Sequence, residues 1–142
     1  MKQFFILSFL LAISIQMIAQ QTTTVYINNK KAAQAVIKSE QTKAYLRIKK
    51  SKYKNYKSFI ITVSGENIGS EVYKRSIEIS GENSIIIDET KNKSGYFDIS
   101  KTGTAKILLA GKSVSLYLLL NPADPLMMMP SRRVFLGDVV MK

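Results

Sequence analysis

Polar and apolar residues alternate along most of this chain with a period of two. Over 43–49, Ala44, Leu46 and Ile48 fall on one face and Tyr45, Arg47 and Lys49 on the other, the pattern of a half-buried strand. Over 58–64, Phe59, Ile61 and Val63 align in the same way, and over 71–79 so do Tyr73, Ile77 and Ile79. Residues 22–27 (TTTVYI) are rich in strand formers and stop at Asn28-Asn29, a turn pair. Segments 84–88 (SIIID) and 96–99 (YFDI) are short strand candidates, the first of them buried. Residues 31–38 (KAAQAVIK) suit either a short helix or a strand.

Further on, 105–110 (AKILLA) and 113–120 (SVSLYLLL) flank Gly111-Lys112 and read as a tight hairpin. Val114, Leu116, Leu118 and Leu120 form its apolar face, and Pro122 and Pro125 stop the strand, because proline cannot donate to a ladder. A last strand is expected over 133–141. Short strands with a turn every 8–12 residues or so predict an all-β antiparallel sandwich, immunoglobulin-like first and a small β-barrel as the alternative. In this reading 46–59 is the tip of a strand pair.

The first twenty residues stand outside that pattern. Lys2 precedes an apolar run from Phe4 that continues, interrupted by Ser and Gln, to Ile18 and the small residue Ala19. This is the form of a secretory signal peptide cleaved near Ala19 or Gln20. Ser8, Ser14 and Gln16 make it a poor permanent span. Residues 21–142 then form one domain, secreted, periplasmic or at the cell surface, with no transmembrane segment of its own.

Composition narrows the chemistry. The chain has no cysteine and no histidine, so Ser-His-Asp or Cys-His catalysis, disulfide staples and ordinary zinc, haem or iron–sulfur sites are excluded. Ser51-Lys52-Tyr53-Lys54 and Lys101-Thr102-Gly103 echo two penicillin-binding signatures, but Ser51 lies between strand patterns rather than at a helix start. The segment 88–98 (DETKNKSGYFD) resembles a calcium loop, yet Lys93 stands where an EF-hand places glycine. Within it, Asn92-Lys93-Ser94 is a glycosylation sequon. Two SGEN turns, at 64–67 and 80–83, fall too far apart for Glu66 and Glu82 to act as a carboxylate pair. No cofactor or metal is expected.

Charge is unevenly placed. Residues 30–57 hold ten cations and one acid, Glu40, whereas 58–142 hold ten cations and nine acids. A lysine-rich coding bias would spread the charge, so the segregation is informative. The candidate anion-binding residues are Arg47, Lys49, Lys50, Lys52, Tyr53, Lys54, Tyr56 and Lys57, with the tyrosines offering rings for bases or sugars. A solvated, aggregation-resistant turn explains the same tract. Lysine predominates over arginine, which suits diffuse attraction better than bidentate phosphate recognition, and export disfavours nucleic acid. The second candidate is Leu126, Met127, Met128 and Met129 between Pro125 and Pro130. Core packing is the first expectation for these methionines, with partner docking and copper(I) ligation behind it.

The expectation is therefore a non-catalytic exported binding or accessory module. Its partner would be an anionic polysaccharide, the envelope surface or a protein. The alternative is an interaction subunit of a larger assembly, docking through 126–129. A small hydrolase using carboxylates such as Asp88, Glu89 and Asp98 ranks third.

Overall fold

A computed structural model describes residues 20–38, 43–49, 51, 53, 55–65, 72–109 and 114–142. The leader expected over 1–20 lies outside them apart from Gln20, which opens the first strand. Among the described residues, nine strands and one helix follow in order: β1 (Gln20–Ile27), β2 (Lys30–Lys38), β3 (Tyr45–Ile48), β4 (Phe59–Gly65), β5 (Tyr73–Ser80), β6 (Ile85–Asp88), β7 (Tyr96–Asp98), α1 (Thr102–Leu109), β8 (Val114–Pro122) and β9 (Arg132–Met141). They form two sheets, ordered β2-β1-β4-β7 and β3-β9-β8-β5-β6. The architecture is a two-sheet sandwich, not a closed barrel.

The period-two patterns explain the core. Val25, Ile27, Phe59, Ile61, Val63 and Phe97 point inward from the first sheet, and Leu46, Ile48, Ile77, Ile79, Leu116, Leu118 and Leu136 from the second. Their intervening neighbours point to the outer faces of the sheets, where most are at least partly exposed and Ile60 is still buried. Residues 31–38 resolve as β2, paired with β1 across a turn in which Asn28 and Asn29 have φ of 52° and 63°. Asparagine tolerates this left-handed backbone, and two such residues close a hairpin of the twist that strands favour.

Three expectations are corrected. Residues 46–59 are not a hairpin, because β3 and β4 belong to different sheets. Strand β3 pairs in parallel with β9, Leu46 opposite Val139 and Ile48 opposite Met141, so 49–58 crosses between layers. Residues 102–109 are helical rather than the first arm of a hairpin. Strand β7 edges the first sheet while β8 is central in the second, so the chain must cross the end of the sandwich between them. A helix satisfies its backbone internally during that crossing and buries Ala105 and Leu108, three residues apart, on one face. The expected turn at Gly111-Lys112 lies outside the described residues. Finally, β6 is an edge strand and not a buried one, with Ile86 61% exposed.

The sandwich has two distinct ends. At the proximal end lie the start of β1, the ends of β2 and β4, the start of β5, the 89–95 connection and the 123–131 loop. At the distal end lie the β1–β2 turn, the end of β3, the start of β4, the β5–β6 turn, α1 and the end of β9. These positions follow from the pairings Gln21 with Gly65, Tyr73 with Pro122 and Val114 with Val139. Since β5 runs from one end to the other, Gly65 and Gly81 close strands at opposite ends. Glu82 is exposed beyond Gly81, and Glu66 lies outside the described residues.

The proximal crossing from β6 to β7 is held by a polar staple. Arg75 on β5 forks onto Glu89 (Nε–Oε2 2.5 Å, Nη2–Oε1 3.1 Å), and the Gly95 amide donates to the same Oε2 at 2.7 Å. Gly95 is in the left-handed region (φ 69°), and a Cβ there would stand 2.2 Å from the Val63 carbonyl oxygen. Gly95→Ala is therefore expected to cost at least about 2 kcal/mol, from strain and backbone collision together. Gly81→Ala, whose nearest contact is Val114 Cγ2 at 3.7 Å, should stay within about 0.5 kcal/mol of wild type. Urea denaturation of the two variants checks the contrast.

Candidate binding surfaces

The basic tract divides when it is folded. Arg47 is exposed on β3, with its guanidinium 5.6 Å from the Tyr45 ring centroid; Lys49, just after β3, and Lys57, just before β4, are also exposed. Tyr53 is not a platform: it is 7% exposed and belongs to the core. Tyr56 packs against that core, edge-on to Phe59 at 5.8 Å between centroids. Both rings are spent on packing because the crossover between layers needs apolar cover over the distal end of the core. Lys50, Lys52 and Lys54 lie outside the described residues. The tract is pinned by Asn28, whose Oδ1 accepts from the Lys57 amide at 2.6 Å and the Ser58 amide at 3.1 Å.

Folding also brings other cations to the same end. Lys30 and Lys31 open β2 beside the Asn28-Asn29 turn, Lys101 precedes α1, Lys106 sits on α1 and Lys142 follows β9, and all five are exposed. The Lys142 amide donates to the Ile48 carbonyl at 2.9 Å, which sets the chain's last residue next to Lys49. The described acids at this end are Glu82, Asp98 and Asp138. The Asp138 carboxylate accepts from the Ser115 hydroxyl, and Asp98 from the Ser100 amide.

The 126–129 segment occupies the opposite, proximal end. Asp124 builds its turn, with Oδ1 accepting from the Leu126 amide at 2.9 Å and the backbone carbonyl from the Met127 amide at 3.0 Å. Leu126 is 87% and Met128 101% exposed, and Met127 is also exposed; Met129 is half-buried. Core packing, the first expectation for this segment, is overturned, because an Asx turn followed by a proline-flanked extension carries the side chains away from both sheets. At its foot, Arg133 stacks 3.5 Å above the Tyr117 ring centroid and forks onto Glu78. Hydrogen bonding to Glu78 holds the Arg133 guanidinium above its ordinary pKa.

The carboxylates of the third reading come from both sheets: Asp88 and Glu89 are neighbours in the chain, and Asp98 belongs to the other sheet. Glu89 is engaged by Arg75 and Gly95, Asp88 lies on an edge of the second sheet, and Asp98 lies on β7 of the first. Among the described residues no three Asp or Glu side chains gather as a metal site, and no helix is long and apolar enough to cross a membrane. The sequon Asn92 is exposed in the 89–95 connection.

One feature has no signature in the sequence. The outer face of the first sheet carries a recess of about 220 Å³ lined by Tyr26, Asn29, Ile60, Thr62 and Tyr96. Tyr26 lies opposite Ile60, and Thr62 opposite Tyr96, so three strands build it. Along the chain each tyrosine is only a polar-face position in its own strand. The alternation of β1, β4 and β7 places all four strand residues outward, but their adjacency depends on pairing.

No family model matches the chain, and neither the curated proteins nor the solved structures compared with it yield a match.

Tyr53→Ala is expected to destabilise the domain by about 3 kcal/mol, the usual cost of emptying a buried aromatic site. Arg47→Gln and Lys57→Gln, both exposed, should each shift stability by less than about 0.5 kcal/mol. Thermal denaturation separates the two classes; an unchanged Tyr53→Ala would return that ring to the surface.

Proposed function

We propose that this chain is an exported, non-catalytic β-sandwich module that contacts an anionic polymer or envelope surface through its distal end. The observation that supports this reading is the convergence of exposed cations from separate parts of the chain. Lys30, Lys31, Arg47, Lys49, Lys57, Lys101 and Lys142 come from several segments yet share one end. A tract that was merely a solvated turn would not recruit Lys30, Lys101 and Lys142. Summed over a few ångströms, such charges raise the local concentration of a polyanion and speed its encounter. Export is supported by the leader pattern, a basic start followed by an apolar run and a small residue at Ala19. The parallel pairing of β3 with the last strand at one sheet edge is compatible with an immunoglobulin-like variant of the sandwich.

A second reading rests on the proximal loop. Three consecutive exposed apolar side chains on a hydrogen-bonded turn suit docking to a protein partner in a larger assembly, and unbranched thioethers adapt to irregular surfaces.

Salt distinguishes the two. On heparin resin, replacing Lys30, Lys49 and Lys57 together by Gln should lower the eluting salt concentration markedly while leaving the thermal midpoint in place, since each lost contact removes counterion release. Retention equal to wild type would refute the anionic reading. Loss of a co-purifying protein on Leu126→Ser and Met128→Ser, at both low and high salt, would favour the docking reading instead.

A further inference from the structure

The recess on the first sheet adjoins the cationic end, and the two together specify more than charge. Asn29 lies in the β1–β2 turn and Tyr26 two residues before it. Lys31 is the cross-strand partner of Tyr26, and directly opposed residues share a face at about 5 Å between Cβ atoms. Its ammonium reaches Gln34 Oε1 at 3.4 Å, an exposed contact that a ligand can replace. Lys93 places a second ammonium 4.6 Å from the Tyr96 ring centroid on the other flank. The lining itself is uncharged.

Its shape suits a single ring. Tyr26 on β1 and Tyr96 on β7 are separated by β4 and staggered along it, one opposite Ile60 and the other opposite Thr62, which sets their backbones roughly 11–12 Å apart. Ile60 and Thr62 form the floor between them. At about 220 Å³ the recess falls below the roughly 300–1,000 Å³ that encloses a drug-sized ligand. It can therefore seat one ring of a polymer while the rest continues along the surface. Aromatic faces take the apolar face of a sugar ring, and the Tyr, Thr62 and Asn29 side chains supply the scattered donors and acceptors that ring hydroxyls need.

Resting on the anionic reading, we infer that the polymer is an acidic polysaccharide, with one sugar ring seated between Tyr26 and Tyr96 and its carboxylates spread over Lys31, Lys30 and the distal cations. Single-stranded nucleic acid fits less well. Proteins that bind it stack successive bases on successive aromatic side chains along a cationic groove, whereas here two tyrosines face one recess and, in the basic tract, Tyr53 is buried in the core and Tyr56 packs against it.

Three probes test it on the exported chain: alginate, a polyuronate; inorganic polyphosphate, an anionic chain without rings; and a single-stranded oligonucleotide. Tyr26→Leu and Tyr96→Leu keep apolar bulk where each ring is half-buried, and their folding is verified by circular dichroism and thermal midpoint. Tyr26→Phe and Tyr96→Phe keep the ring as well. The expected result is that each Leu variant binds alginate about tenfold more weakly, as for loss of a central aromatic contact. Each Phe variant should retain most of that affinity, and polyphosphate binding and its salt dependence should not change. If the Leu variants bind alginate as wild type does while Lys30→Gln, Lys49→Gln and Lys57→Gln lose it, the sugar seat is refuted and the anionic reading survives. If wild type shows no salt-sensitive binding to any of the three probes, the anionic reading fails and takes the inference with it. Loss of oligonucleotide binding alone in the Leu variants would overturn the sugar assignment in favour of nucleic acid.

Discussion

The parallel ladder between β3 and β9 governs much of the rest of the molecule. Once Leu46 stands opposite Val139 and Ile48 opposite Met141, β3 is committed to the second sheet, and β4, paired with β1, to the first. The ten residues between them must then cross from one layer to the other. A chain that crosses the end of a sandwich has to cover the core it passes over. Tyr53 and Tyr56 do this, and so a tract whose composition resembles a stacking surface is partly core. Gly137 sits at the same ladder, with the Ala44 carbonyl oxygen 3.4 Å and Leu46 Cγ 3.6 Å from where its Cβ would be.

The same topology separates the two surfaces that could meet a partner. The β8–β9 connection opens at the proximal end, and the β3–β4 crossover passes over the distal end. Each strand is several residues long, so the exposed apolar loop and the converging cations lie a full strand length apart and cannot form one continuous contact. The cations are drawn together by strand ends, not by their order in the chain. Lys30 and Lys57 approach because Asn28 accepts from the amides of Lys57 and Ser58, and Lys142 joins Lys49 because its amide closes the β3–β9 ladder.

Where the sequence is legible, local physics makes it so. The alternation at 43–49, 58–64 and 113–120 locates three strands and their inward residues, since a pleated strand buried on one side must repeat every two residues. Asn28-Asn29 announces its turn by tolerating positive φ. The segment 105–110 misleads for a complementary reason: five apolar residues in six have no clear period, and helix or strand is then settled by what the segment must connect. The methionines mislead because their burial depends on where the Asp124 turn sends the chain. The recess on the first sheet is invisible, as Tyr26, Thr62 and Tyr96 are distant in sequence and become neighbours only through β1–β4 and β4–β7 pairing.

By itself, then, the amino-acid order determined that this is an all-β chain without cysteine or histidine, which faces of its strands are apolar, and that its net positive charge is concentrated within residues 30–57. Those properties depend on residue type and on spacings of two or three positions. Tertiary structure alone decided which strands pair, that β3 runs parallel to β9, that Tyr53 of the basic tract is buried and Tyr56 packs against the core while two other tyrosines flank an open recess, and that Lys30, Lys101 and Lys142 join the tract at one end. These are relations between residues tens of positions apart. They are set by which arrangement of sheet edges and layers buries every apolar face at once, a condition on the whole chain that no short window contains.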